Sequence, residues 1–271
     1  MADLTVKISS LLESVARDFS IEHKTSLDNL VGAALSEYLL SSPRRMYQVS
    51  TSTALVEGVY SGALSSWTLL QEGDFGLGTL EGLDGEMVIL DGEIYQAAGS
   101  VRQRSDEFRV PFASVTQFRE DAVFQIGEVA CLKDIELACD PHRTSENLFY
   151  AIRVDGVFET VHARAVHPVP PGSRLLDAAK TQLEFHFHNV EGTLVCIWSP
   201  RYASSFSVPG YHFHFISKDR TRGGHILDCT AQQLHACIQV LSQYDVRLPE
   251  SGLFLTTNFD KDPASDLAKA E

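Results

Sequence analysis

The spacing of apolar residues divides the chain into a short helical part and a long strand-rich part. Between residues 3 and 41, apolar residues recur three and four positions apart in LTVKISSLLESVARDF and again in SLDNLVGAALSEYLL, where a serine precedes the first turn. This period predicts two amphipathic helices. From about Tyr47 onward, short β-like runs are separated by Gly, Asp and Ser, which predicts strands joined by tight turns.

Asp-Gly pairs predict where several of these strands turn. Leu-Asp-Gly occurs at residues 83–85 and again at 90–92, on either side of an apolar run, and Asp155-Gly156 separates two further β-rich runs. Asp-Gly between such runs is a strong hairpin signal, because both residues tolerate the backbone angles of a tight turn.

The proline-rich stretch HPVPPGS, residues 167–173, predicts a domain boundary, since consecutive prolines continue neither a helix nor a strand ladder. We therefore expect an N-terminal domain, 1–167, of helices plus β-sheet, and a β-rich C-terminal domain, 168–271. The second begins with a short helix in RLLDAAKTQ and continues with strands in LEFHFHNV, GTLVCIWS, YHFHFIS and GHILDCT. The periodicity of residues 231–249 fits helix and strand equally, and the tail from Ser251 is expected to be extended or weakly helical. The predicted fold class is α+β, with mixed or antiparallel sheets in two halves.

Composition limits the partners. The chain has 22 Lys and Arg against 36 Asp and Glu, a formal net charge of -14, and no basic stripe, which argues against binding nucleic acid. No apolar run reaches the length of a membrane span, and the first residues lack a signal-peptide pattern. The five scattered cysteines predict reduced thiols. We expect a cytoplasmic protein without membrane contact.

The strongest chemical signal is GYHFHFISKDRTRGGHIL, residues 210–227. In a strand, alternate side chains share a face, so His212 and His214 would point together, away from Tyr211, Phe213 and Phe215. After a turn, His225 would return on the neighbouring strand, beside glycines that allow close backbone approach. Three neutral histidines with an open fourth position are the ligand pattern of a catalytic zinc site; the alternative is a polar strand face that displays histidine to solvent.

A second His-X-His occurs in LEFHFHNV, where His186 and His188 alternate with phenylalanines. It has no third histidine on a hairpin return, so a solvated or interface role is favoured for it. Arg164 and Glu86 lie on predicted strands and would bind a carboxylate or move a proton if they reached a metal, but their spacing does not place them there. The glycines of GDFGLGTLEG do not fit a nucleotide-binding loop and indicate turns or bulges.

Taken together, YQVSTSTALVEGVYSG, GDFGLGTLEGLDGEMVILDG, NLFYAIRVDGVFETVHARAV, GTLVCIWSP and GYHFHFISKDRTRGGHILD resemble the α-acetolactate decarboxylase family. The resemblance extends from about Tyr47 to Pro249. It implies a zinc lyase, often dimeric, that converts (S)-2-acetolactate, a small 2-hydroxy-3-keto acid, to (R)-acetoin and CO2.

The resemblance also implies roles for individual residues. The metal ligands would be His212, His214 and His225, which places the zinc site on the C-terminal sheet. Arg164 and Glu86 would be catalytic, and Thr79 would bind substrate. A glutamate near the C-terminus completes the family's site, and the best match here is Glu271, in a tail that departs from the expected pattern.

Two other hypotheses remain open at the level of sequence. The same three histidines suit a dioxygenase or isomerase on a small β-barrel with iron or manganese, although no Glu follows the His-X-His at the usual spacing. A non-catalytic homologue that binds a ligand is favoured if Arg164 or Glu86 lies far from the histidines.

Overall fold

The computed structural model describes residues 5–40, 44–170, 172–250 and 252–270, and the chain divides into two compact units, 1–42 and 43–271. The first unit contains α1 (Ser10–Glu22) and α2 (Leu27–Leu40). The side chain of Ser9 accepts a hydrogen bond from the Leu12 N–H, and that of Ser26 accepts one from the Asn29 N–H. Both helices therefore start at serine N-caps, which the sequence predicted for α2.

The second unit is dominated by strands. Its strands are β1 (Arg45–Val49), β2 (Leu64–Ser65), β3 (Phe75–Thr79), β4 (Glu86–Leu90), β5 (Glu93–Arg104), β6 (Arg109–Val110), β7 (Phe112–Thr116), β8 (Ala122–Ile126), β9 (Phe149–Ala165), β10 (Leu183–Ser199), β11 (Gly210–Ser217), β12 (Arg222–Leu241) and β13 (Gln243–Arg247). Its helices are α3 (Ser52–Val56), α4 (Ser66–Glu72), α5 (Leu132–Cys139), α6 (Leu175–Ala179), α7 (Gly252–Thr256) and α8 (Ala264–Ala270). The expectation of a mixed α+β fold built on β-sheet is confirmed.

One 11-stranded sheet contains most of these strands, in the order β11-β10-β9-β12-β5-β4-β3-β7-β1-β13, with β8 paired to β12. The pairing of β1 with β13 is parallel, and the neighbouring pairs along the rest of this order are antiparallel. Because β11 also pairs with β12, strands β9 to β12 form a closed circuit of hydrogen-bonded neighbours. That circuit brings the start of β12 beside β11.

Apolar side chains from the closed circuit and α5 form the largest core cluster, which includes Phe158, Phe213 and Phe215. A separate cluster joins α3, α6 and α8 through residues such as Leu55, Leu175 and Leu267. The helices of the second cluster cover one region of the sheet, and that region carries the site described below.

The Asp-Gly prediction is correct at Asp91-Gly92 and wrong at Asp155-Gly156. Asp91 and Gly92 have φ of 55° and 78° and form a two-residue turn between β4 and β5. Asp155 and Gly156 lie inside β9, which continues through them with paired strands on both sides. A Cβ on Gly156 would lie 2.5 Å from the Leu234 side chain, so glycine here makes room for a neighbouring strand rather than a turn.

The predicted boundary at residues 167 and 168 falls inside the second unit, because β9 before it and β10 after it pair along most of their length. The ambiguous segment 231–249 forms the end of β12 and β13, and the tail forms two short helices. Each of the five cysteines is a free thiol. No helix in the described ranges is long and apolar enough to cross a bilayer.

Candidate metal and active site

Strand β11 presents two imidazoles on one face. Phe213 and Phe215 point into the main core, so His212 and His214 share the opposite face, as the alternation predicted. Both histidines are buried, and their ring centroids are 4.9 Å apart. This arrangement confirms the predicted strand and the shared face.

The third histidine arrives through the hairpin between β11 and β12. His225 pairs directly with His214 across the two strands, and its ring centroid lies 5.1 Å from that of His212 and 5.5 Å from that of His214. One ligand atom from each of the three histidines lies within 4.8 Å of the others. Three imidazoles so arranged can hold one divalent transition metal.

A tight turn and a glycine permit this approach. In the turn, the Asp219 carboxylate accepts hydrogen bonds from the hydroxyls of Ser217 and Thr221 at 2.6 and 2.7 Å. On β12, a Cβ on Gly224 would lie 2.6 Å from the carbonyl oxygen of Arg164 on β9. Any larger residue at 224 would push β12 away from β9, so this glycine allows His225 and Arg164 to lie near one another.

The pKa of His212 and the Nδ1 hydrogen bond of His214 both suit a metal site. His214 Nδ1 lies 2.8 Å from the carbonyl oxygen of Met87, which can only accept, so Nδ1 carries a proton and Nε2 is the nitrogen left to coordinate a metal. Burial, and secondarily the positive charge of Arg164, lowers the pKa of His212 to about 3. Neutral imidazoles are the form that coordinates a metal, so the donor set fits the metal that the resemblance implies.

Glu86, the first residue of β4, lies beside the histidines. Its Oε2 is 3.6 Å from His214 Nε2, and its Oε1 accepts a hydrogen bond of 3.3 Å from the Val166 N–H. The side chain is 9% exposed. The hairpin between β3 and β4 pairs Thr79 with Glu86, and the Thr79 hydroxyl donates to the Gly85 carbonyl at 2.9 Å. That hydroxyl therefore retains lone pairs to accept a hydrogen bond.

Arg164, near the end of β9, brings a positive charge to the same place. It is 4% exposed, and its Nη1 donates to Gln182 Oε1 at 2.9 Å. With Glu86, Thr79, His212 and His225 it lines one cavity, which we call the site cavity. The sequence could not place these residues together, and the structure does.

The remaining walls of the site cavity are mostly apolar. They come from several elements around it and comprise Leu55, Gly78, Leu83, Phe112, Val166, Leu175 and Ala270. Such walls limit water around the polar groups and so strengthen their electrostatic effect. Ala270 is the last residue of α8; the predicted catalytic residue Glu271 lies outside the described residues.

The family model described as "Alpha-acetolactate decarboxylase" matches residues 46–261, well over half of the chain. The chain belongs to the α-acetolactate decarboxylase family. It is therefore an enzyme of the carboxy-lyase class. The non-catalytic hypothesis loses its main support, because Glu86 and Arg164 line the same cavity as His212 and His225.

Individual members of the decarboxylase family are similar over most of their length. An α-acetolactate decarboxylase of Methanosarcina mazei is 43% identical over 229 residues, which are 83% of this chain and 80% of that protein. One of Bacillus subtilis is 38% identical over 231 residues, 84% of this chain and 91% of that protein. The crystal structure of the α-acetolactate decarboxylase from Bacillus subtilis strain 168 superposes with a TM-score of 0.80 and covers 84% of this chain and 99% of that one.

Two groups at the decarboxylase site were missed in the sequence. Gln182, which holds Arg164, precedes β10 and belongs to no local pattern. The Met87 carbonyl, which orients His214, is a backbone group that any residue would supply. The only available signal was the position of Met87 directly after Glu86, on a strand expected near the site.

Proposed function

We propose that this enzyme decarboxylates (S)-2-acetolactate to (R)-acetoin and CO2, and that His212, His214 and His225 hold a zinc ion for the reaction. The observation that carries the proposal is the convergence of three buried imidazoles, two of which line one cavity with Glu86 and Arg164, in a member of the decarboxylase family. The alternatives, an iron or manganese dioxygenase or isomerase, would use the same ligands, but no feature of the cavity favours them over decarboxylation.

The reaction defines what the residues have to do. Loss of CO2 breaks the bond between the carboxyl carbon and C2, and the electron pair stays on the remaining fragment as an enediolate. A zinc ion held by three histidines supplies Lewis acidity, which stabilises negative charge on substrate oxygens. The histidines fix its position, and the Met87 carbonyl fixes the tautomer of His214.

Arg164 is proposed to orient the substrate carboxylate before CO2 leaves. Its guanidinium is a permanent cation that suits a carboxylate, and Gln182 holds it at the cavity wall. Its charge also favours the anion that forms as the bond breaks. The Thr79 hydroxyl is proposed to accept a hydrogen bond from the substrate hydroxyl, since its own proton is already donated to Gly85.

Glu86 is proposed to deliver the proton that converts the enediolate to acetoin. The carboxyl group lies beside His214 in the buried cavity, so it can reach one face of a bound intermediate. Delivery from one face only sets the handedness of the product. Glu271 is the second candidate for this step, and the activities of Glu86→Gln and Glu271→Gln distinguish the two glutamates.

The test compares metal content, turnover and product chirality. Purified enzyme is expected to contain about one zinc per chain, to lose acetoin formation on chelation, and to regain it with added zinc. Glu86→Gln should keep its zinc and lower kcat by about 10²–10⁴-fold, the usual contribution of a positioned acid. Glu93→Gln, the same substitution at an exposed position on β5, should behave as the parent enzyme.

Three outcomes would contradict parts of this proposal. Full turnover in metal-free enzyme would exclude the zinc function, and a requirement for O2 would favour a dioxygenase. Normal activity in Glu86→Gln together with loss in Glu271→Gln would move the proton donor to Glu271. We further propose that the enzyme acts in the cytoplasm as a homodimer, which a sedimentation measurement on the purified chain tests for the oligomer.

A further inference from the structure

A second cavity adjoins the site cavity and lies between α6, the segment that joins α6 to β10, and the end of α8. It shares Arg164 and Ala270 with the site cavity, and its other polar lining residues are Lys180, Gln182 and Lys269. We call it the outer cavity. Lys180 and Lys269 are exposed, whereas Arg164 is buried, so the outer cavity leads from the surface to the guanidinium at the site.

The described lining of the outer cavity has a charge opposite to that of the whole chain. Its described lining contains three cationic side chains, Arg164, Lys180 and Lys269, and no carboxylate, although the whole chain carries a formal charge of -14. A cavity lined by one sign of charge concentrates ions of the other sign against the general field. The composition alone would have predicted repulsion of a small anion.

Carboxylates on the two helices near the outer cavity are engaged by cations. Asp177 accepts a hydrogen bond from Lys180 Nζ at 2.9 Å, and Asp266 lies 3.5 Å from Arg174. The side chains of Lys180 and Asp177 are 73% and 60% exposed, so the ion pair between them is weak. Lys180 can therefore also interact with an anion that enters the outer cavity.

We infer that the outer cavity is the entrance for the substrate, and that Lys180 and Lys269 raise the local concentration of its carboxylate form before Arg164 receives it. This inference rests on the proposed function, because it takes the substrate to be a small 2-hydroxy-3-keto acid anion. The lysines lie outside the site cavity, so they act on capture and not on bond breaking.

The first test is a split between capture and chemistry. Lys180→Gln and Lys269→Gln should each lower kcat/KM about 2–5-fold, and the double variant about tenfold, at low ionic strength, while kcat stays unchanged. The salt dependence of kcat/KM should weaken in the same order, because salt already screens the charges that have been removed.

A matched control is available on the β11–β12 hairpin. Lys218 is 71% exposed and pairs with Glu191 at 2.8 Å, which closely resembles Lys180 with Asp177, but it does not line the outer cavity. Lys218→Gln should leave kcat/KM and its salt dependence as in the parent enzyme. Asp177→Asn should have the opposite effect to the lysine substitutions and raise kcat/KM, because it removes the carboxylate that partly neutralises Lys180.

A second measurement separates this inference from the proposed function. Inhibition constants are determined for 2-hydroxyisobutyrate, an anion, and for acetoin, a neutral molecule of similar size. The double lysine variant should bind the anion about tenfold more weakly, and acetoin equally well.

The outcomes are distinct. If the parent enzyme turns over acetolactate but the double variant keeps its kcat/KM, its salt dependence and its affinity for 2-hydroxyisobutyrate, the entrance is wrong and the function stands. An equal loss for anion and neutral inhibitor would also overturn the electrostatic assignment. If the parent fails to turn over acetolactate while the lysine variants still weaken only the anion, the proposed function is wrong and the outer cavity remains an anion entrance.

Discussion

The histidines of β10 and those of β11 follow the same alternation but lie in opposite surroundings. His186 and His188 are exposed, and His186 stacks on His162 of β9 with ring centroids 4.2 Å apart. His212 and His214 are buried beneath β4, with a carbonyl oxygen, a carboxylate and a third imidazole close by. A strand supplies two ligands that point together in both cases. What makes one face a metal site is the set of elements that cover it.

The largest difference between the two strands is expected when one histidine is removed from each. His212→Ala should lose bound zinc and lower kcat/KM by at least about 10³-fold, because the ligand set is broken and the stabilisation of negative charge is lost. His186→Ala should keep both zinc and activity, since its ring lies on an exposed face. Elemental analysis and acetoin formation measure the two effects. If His212→Ala kept one zinc per chain and full turnover, the assignment of the metal site to β11 and not to β10 would be wrong.

A smaller effect is expected where β12 approaches β9. In Gly224→Ala the new methyl group would lie 2.6 Å from the Arg164 carbonyl, so β12 must move and carry His225 with it. We expect a loss of about 1–3 kcal/mol in the free energy of unfolding, measured by denaturant titration, and weaker zinc binding. Gly127→Ala is the control, because its Cβ has no atom within 4 Å. Equal stability of the two variants would mean that the close approach is not required.

The smallest expected effect concerns the hairpin turn between β11 and β12, which has no counterpart beside His186 and His188 on β10. Hydrogen bonds from Ser217 and Thr221 lower the pKa of Asp219 to about 2. The carboxylate is thus favoured by folding, so its contribution to stability is present above about pH 4 and is lost as the pH falls through about 2. Asp219→Ala should lower the unfolding midpoint slightly at pH 7, and the gap from the parent should narrow below pH 4. A gap that stayed constant with pH would show that the charge is not involved.

Local patterns predicted the local parts of the fold and the site. The period of two in residues 211–215 gave the shared face of His212 and His214, and the helical period gave α1 and α2. Asp-Gly failed as a turn signal at Asp155-Gly156, because neighbouring strands hold this pair inside β9. The Thr193 hydroxyl donates a hydrogen bond to Asp155, and the Leu234 side chain packs where a Cβ on Gly156 would lie. An Asp-Gly pair shows that the backbone can adopt the angles of a tight turn. Whether it does so depends on the strands that pack beside it.

The assembly of the site could not be predicted from spacing, because it depends on the register of strands far apart in sequence. Arg164 reaches the cavity because β9 lies between β10 and β12, and Glu86 because β4 runs near β11. The resemblance to a family assigns Arg164 and Glu86 to one site, but no period or spacing in the sequence links the two residues. The proline-rich stretch at 167–173 predicts a boundary for the same reason, since the pairing of β9 with β10 on either side of it leaves no local trace in the sequence.

The parallel pairing of β1 with β13 has a consequence for how the chain is made. Arg45 is paired with Gln243, so 197 residues lie between the two partners, and their synthesis takes about 10–40 s at ordinary translation rates. Throughout that interval one edge of β1 has exposed hydrogen-bonding groups, which are a template for misplaced strands. This side of the sheet is therefore completed only once β13 has been synthesised.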